Sequence, residues 1–165
     1  GPWKALELPY VGKDVAMLVL LPRERGGLKK LQSQISAKLL AEAATNLRNV
    51  PQVLVSLPKF KVETDYDLKP ILMEMGVKDV FFEDTADLTG MHLSAEKLCV
   101  TTAVHKAFVD VNEEGTEAAA ATGIVVGVRS APGEPAVFRA DHPFVFAILH
   151  KPTNTILFFG KVEDF

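Results

Sequence analysis

Few groups in this sequence have the type and spacing to do chemistry. Ser94-Ala95-Glu96-Lys97 satisfies the S-x-x-K pattern of penicillin-interacting hydrolases, but the partner motifs S-D-N and K-T-G are absent and so short a pattern arises easily by chance. Asp141-His142 would supply the acid and base of a hydrolytic triad, yet no G-x-S-x-G elbow offers them a nucleophile. The histidines, at 92, 105, 142 and 150, lack metal-ligand spacing, so neither a metal site nor a cofactor is expected. Cys99 is the single cysteine and lies in an apolar, strand-like run, so it reads as a small buried residue rather than a reactive thiol. The chain is not expected to be an enzyme.

Composition narrows the remaining classes. The 165 residues are 48% hydrophobic, which allows a substantial core, and carry a net charge of -3. Lys and Arg are scattered among the acids, so no electrostatic footprint for nucleic acid is present. No run approaches the roughly 18 apolar residues of a spanning helix, and Gly1-Pro2-Trp3-Lys4 lacks the layout of a secretory signal, so a soluble chain without a membrane partner is expected.

The elements follow from periodicity. Ala5 to Tyr10 and Val15 to Leu21 read as a hairpin turned by Gly12-Lys13-Asp14. Leu28, Leu31, Ile35, Leu39, Ala43 and Leu47 predict one amphipathic helix ahead of Asn49-Val50-Pro51. Val53, Val55 and Leu57 predict a strand bending at Pro58, and a second helix follows, with Asp67 as its cap, Leu68, Ile71, Leu72 and Met75 as its stripe and Gly76 as its stop. Glu83 to Glu96 reads as an irregular polar loop. Lys97 to Val111 predicts a long strand covered on both faces, and Val137 to Leu149 with Thr155 to Val162 predict a central buried hairpin.

The segment between these strands contradicts itself. Thr116 as a cap, Ala118-Ala119-Ala120-Ala121 and Gly123 as a stop describe a short helix, whereas Ile124 to Val128 prefers a strand. A connection of about 20 residues is far longer than compact domains normally use and points to function. In an extended state, small Thr116, Ala118, Ala120 and Thr122 would share one side, so the segment could slide between two strands. The alternative, a short exposed helix with an apolar tail, leaves Ile124-Val125-Val126 in solvent beside Arg129-Ser130.

Asn112-Glu113-Glu114-Gly115-Thr116-Glu117-Ala118-Ala119-Ala120-Ala121-Thr122 resembles the hinge of inhibitory serpins, and Phe138-Arg139-Ala140-Asp141-His142-Pro143-Phe144 resembles the signature that follows their reactive loop. Leu6-Glu7-Leu8-Pro9-Tyr10, Leu57-Pro58-Lys59-Phe60 and Ile156-Leu157-Phe158-Phe159-Gly160-Lys161 fit as well, so the resemblance covers essentially the whole chain.

The resemblance implies an α+β serpin fold of mixed helices and several β-sheets, with residues 1-165 as the C-terminal part of a single domain and a reactive loop at about 113-136. It implies a suicide inhibitor of a trypsin-like serine protease, with Arg129-Ser130 as the bait bond and Glu113, Glu114, Gly115, Thr116, Glu117, Ala118 to Ala121 and Thr122 as the hinge. It places His105 at the opening point of the main sheet, with a satisfied interior histidine as the plainer alternative. It pairs Lys59 with Glu113 at the loop base, with a solvated lysine as the alternative. The implied partners are the protease and an N-terminal part of the serpin not contained in these residues. Secretion is expected because most Arg-directed proteases act outside cells, with a cytoplasmic serpin as the alternative. A non-inhibitory serpin that carries a ligand or chaperones a client is the rival function; the small hinge residues speak against it.

Overall fold

The structure, a computed structural model, describes residues 1–91, 97–112 and 135–164. Among the described residues are eight strands, β1 (Trp3–Pro9), β2 (Val15–Pro22), β3 (Val53–Ser56), β4 (Phe60–Asp67), β5 (Val104–Val111), β6 (Ala136–Arg139), β7 (Phe144–His150) and β8 (Thr155–Val162), and three α-helices, α1 (Leu28–Gln34), α2 (Ala37–Thr45) and α3 (Leu68–Glu74). They fall into two compact units, Gly1–Phe60 with Val111–Phe165, and Lys61–Asp110.

The first unit is built on an antiparallel sheet in the order β1-β2-β7-β8. The expected first hairpin forms, and its reversal uses the left-handed backbone of Gly12 (φ 88) and Lys13 (φ 64). β2 reads as an unbroken apolar run because both its faces are covered. Leu18 and Leu20, with Val145, Ala147 and Leu149 of β7, pack against Leu28, Leu31 and Leu40 of the helices. On the other face the Phe60 ring lies 5.8 Å from Phe144 and 5.2 Å from Phe146. Each fully buried side chain of this size contributes about 1.5–3 kcal/mol, so the interior strands β2 and β7 supply most of the unit's apolar burial.

Three expectations change here. The single helix from Leu28 to Leu47 is two: the chain turns extended at Ile35 (ψ 130) and Ser36 (ψ 161), and Ser36 Oγ accepts a hydrogen bond from Leu39 N at 3.1 Å. Apolar residues at steps of four overshoot each turn by about 40°, so one straight helix would rotate its stripe away from the sheet. Breaking at a serine cap realigns Leu40 with the core. The strand expected over Val137 to Leu149 is likewise interrupted at Ala140–Pro143, where proline lacks a ladder donor. The β7-β8 hairpin closes through left-handed Asn154, but only β7 is buried: among the described residues β8 has one neighbour, and it leaves Ile156 to Phe159 exposed.

The second unit holds the β4-β5 pair and α3. The helix forms as expected: Asp67 Oδ1 accepts from Lys69 N at 3.0 Å, and Gly76 (φ 95) ends it. Its stripe is only partly covered, with Ile71 and Met75 exposed. β4 is not among the expected elements, although Phe60, Val62, Thr64 and Tyr66 alternate with Lys61, Glu63, Asp65 and Asp67. The strand expected from Lys97 begins only at Val104, because the backbone before it bonds elsewhere: Val100 N donates to Val80 O at 2.8 Å and Leu68 N to Ala103 O at 2.7 Å. Nor are both its faces covered, since Val104 and Phe108 are exposed in a sheet of two strands. Surface charges brace the pair, with Lys106 2.8 Å from Asp65 and the Lys61 ammonium 4.9 Å above the Phe108 ring.

Candidate functional site: the strands before and after residues 113–134

The expected hinge, Glu113 to Thr122, and the expected bait bond Arg129-Ser130 lie outside the described residues. The structure places the strands on either side of them. Upstream, β5 runs to Val111, two residues before Glu113. His105, its second residue, has an exposed side chain. Lys59 is exposed immediately before β4, the partner of β5, and its expected companion Glu113 is outside the described residues. Ser94 and His92 also lie outside them, and Cys99 is a free, half-buried thiol rather than a fully buried one.

Downstream, β6 pairs in parallel with β3, matching Val53 to Ala136 and Ser56 to Arg139. Ala136 N donates to Gln52 O at 3.1 Å and Ala140 N to Ser56 O at 2.8 Å, which extends the ladder at both ends. Phe138 and Ala140 turn inward and are buried. The chain then rounds a corner, Ala140 to Pro143, before entering β7 in the sheet interior.

That corner is held by polar contacts. The buried His142 ring places Nε2 2.7 Å from the Pro22 carbonyl oxygen, at the end of β2, and Nδ1 2.8 Å from Asp141 Oδ1. Asp141 Oδ2 in turn lies 2.9 Å from the Arg25 guanidinium, in the connection between β2 and α1. The hydrogen bond from His142 holds the Asp141 carboxyl below the usual carboxylate range; burial opposes it less strongly, and the nearby Arg25 charge adds a smaller lowering. Asp141 and His142 are thus tied to structure, with both ring nitrogens occupied, rather than aimed at a nucleophile. Sequence reasoning found the signature containing them but missed Arg25 and Pro22, which are remote in sequence and carry no motif. The only available signal was that a histidine inside an apolar run needs partners.

Mixed helices and several sheets make this an α+β protein. The family model described as "Serpin (serine protease inhibitor)" matches residues 2–165, and the chain belongs to the serpin family. It is 49% identical to Serpin B4 of Homo sapiens over 163 residues, 98% of this chain and 41% of that protein. With the leukocyte elastase inhibitor of Bos taurus it shares 46% identity over 166 residues, 98% of this chain and 43% of the relative. The structure of uncleaved ovalbumin superposes with a TM-score of 0.77 at 40% identity, covering 97% of this chain and 39% of ovalbumin. The chain therefore spans about two fifths of the length of the relatives it matches.

Proposed function

We propose that residues 1-165 are the C-terminal part of a single serpin domain that inhibits a trypsin-like serine protease irreversibly, with Arg129-Ser130 as the bait bond. The observation that carries this reading is the run of small residues Thr116, Ala118, Ala120 and Thr122 in the sequence between β5 and β6, following β5, whose only neighbour among the described residues is β4. The protease serine attacks the Arg129 carbonyl, its Oγ–C bond forms, the C–N bond to Ser130 breaks, and the new Ser130 amine leaves with a proton. The freed hinge then enters the sheet as a strand beside β5. Each new backbone hydrogen bond contributes about 1 kcal/mol, and apolar burial adds to it. Drawing the acyl group from the oxyanion hole and the oriented histidine stops deacylation. Arg129 selects the target class through the carboxylate in a trypsin-like pocket, and the inhibitor supplies no catalytic group.

Glu113 with Lys59 at the loop base and His105 on β5 would set how readily the sheet opens. The full cycle requires the N-terminal part of the serpin as a partner. Action outside cells follows only from the expected protease class and draws no support from the relatives; a cytoplasmic inhibitor is the alternative.

A second reading is favoured by the name of the bovine relative. Elastase has a small pocket, and Val128, adjacent to Arg129, would suit it. Incubating the full-length protein separately with trypsin and with elastase, followed by denaturing electrophoresis and mass determination of the released peptide, tests both. A denaturant-stable complex with a peptide starting at Ser130 supports the trypsin-like reading, and one starting at Arg129 supports the elastase reading. Clean cleavage without a complex would move the protein to the carrier or chaperone class.

A further inference from the structure

The β6-β7 corner has a hydrogen-bond arrangement for which the inhibitory cycle gives no reason. The Pro22 carbonyl can only accept, so His142 Nε2, 2.7 Å away, must carry a proton. The Asp141 carboxylate also only accepts, so Nδ1 at 2.8 Å must carry another. A neutral imidazole has one N–H and would set a lone pair against one of these oxygens. The Arg25 guanidinium, 2.9 Å from the second Asp141 oxygen, keeps the carboxyl ionised, so the missing proton does not come from Asp141. The ring is buried, which leaves little room for water to replace a lost bond. The charged residues on the adjoining elements are Asp141 on its own corner, Arg139 on β6, Arg23, Glu24 and Arg25 in the connection after β2, Lys4 on β1, which pairs with β2 beside Pro22, and Lys161 and Glu163 at the end of β8, which pair with each other. Of these, Arg23 turns its Nε to the Gly1 carbonyl, while β7 contributes apolar residues at this end.

We propose that Arg25, Asp141 and His142 form a protonation-dependent latch that fixes β6, the strand leaving the bait loop, to the end of β2, and that the latch is complete only when His142 carries both ring protons. The role given to β6 rests on reading residues 113–134 as the bait loop; the latch itself does not. His142 is a positioning residue. Without the Nδ1 proton, a lone pair faces the Asp141 carboxylate, and the corner loosens while the sheet interior stays closed.

Two measurements on the full-length protein test this without any protease. Nitrogen NMR of the histidine rings should show both His142 nitrogens protonated at about pH 6, and amide hydrogen exchange should show protection of Ala136 and Ala140, corrected for intrinsic rates, falling about tenfold between about pH 6 and about pH 8.5 while β7 amides keep theirs. Asp141→Asn separates the latch from a plain structural contact, because an amide can accept from a protonated Nδ1 or donate to a bare one; its β6 protection should be independent of pH. His142→Gln should be flat with pH and poorly protected. A single ring proton on His142 at about pH 6, or the same pH slope in wild type and Asp141→Asn, overturns the latch even where His142→Gln fails to fold. A protein that shows the latch but forms no complex with trypsin or elastase would sustain this inference and sink the inhibitor reading.

Discussion

Replacing Gly160 with alanine should destabilise the four-stranded sheet, although alanine normally favours a strand over glycine. A Cβ at this position on β8 would stand 2.8 Å from both Cε1 and Cζ of Phe146 on the paired strand β7. Ring-edge atoms can move aside on a free surface, but Phe146 is 1% exposed and has Phe60 against it at 5.2 Å. The ring must therefore leave its rotamer or push Phe60, an overpacking cost of about 1–3 kcal/mol. The lower backbone entropy of alanine in the unfolded chain returns about 0.4–1 kcal/mol. The central values leave a net loss of about 1.3 kcal/mol, read as a lower urea midpoint in the full-length protein at unchanged slope. Phe146→Leu removes the obstructing ring edge, so the Gly160→Ala, Phe146→Leu double variant should be less destabilised than the sum of its parts, with a coupling above about 0.5 kcal/mol. An alanine variant as stable as wild type, or strict additivity in the double-mutant cycle, would refute this account of the β7-β8 contact.

Under the proposed inhibitory function, Thr116→Arg should leave cleavage by the protease intact and abolish the stable complex, because an unpaired guanidinium would have to enter the sheet at a cost of several kcal/mol; gel densitometry of complex against cleaved inhibitor reads this. Arg129→Leu should slow inhibition of trypsin by about 100- to 1,000-fold, since it strands the buried carboxylate of the protease pocket without its partner, and second-order association rates measure it. Ser36→Ala removes the cap that restarts α2 and should cost about 1 kcal/mol in urea unfolding, with lost amide protection confined to the first turn of that helix. The folded value of the Asp141 carboxyl is depressed, so its stabilising contribution is fully present above the ordinary carboxylate range and is lost as pH falls through the lower folded value. Asp141→Asn should therefore flatten the acid limb of the pH-stability curve relative to wild type.

Much of the first unit was legible in the sequence because its strands are buried by type. Val15 to Leu21 and Phe144 to Leu149 are nearly continuous in apolar residues, as strands covered on both faces require, although the similar run Ile156 to Phe159 of β8 is exposed. Asp67 and Gly76 marked the ends of α3 because capping and left-handed backbone demand particular residues at single positions. What failed was set by tertiary geometry. The drift of the stripe from Leu31 to Leu47 could be seen, but whether a helix bends, twists or restarts depends on the sheet beneath it. β4 carries its apolar residues at Phe60 and Val62 among charges, a weak alternation that surface loops also show. The corner at Asp141-His142 showed the opposite balance: the motif was plain, while the reason for it lay in a carbonyl at Pro22 that no pattern announces.

The place of β7 in the interior of its sheet has a bearing on how the protein is made. β2 pairs with β1 from the start, but its other edge waits for β7, which arrives about 120 residues later in the chain. At synthesis rates of roughly 5–20 residues per second, Ala16 to Leu21 stand with an open apolar edge for about 6 to 24 seconds. Long-range pairing of this kind is slow even in a finished chain. The same residues that make the most secure strand of the folded protein are thus its most adhesive segment while it is being born, and a chaperone that shields Ala16 to Leu21 until Phe144 to His150 emerges would raise yield more than one acting on the completed chain.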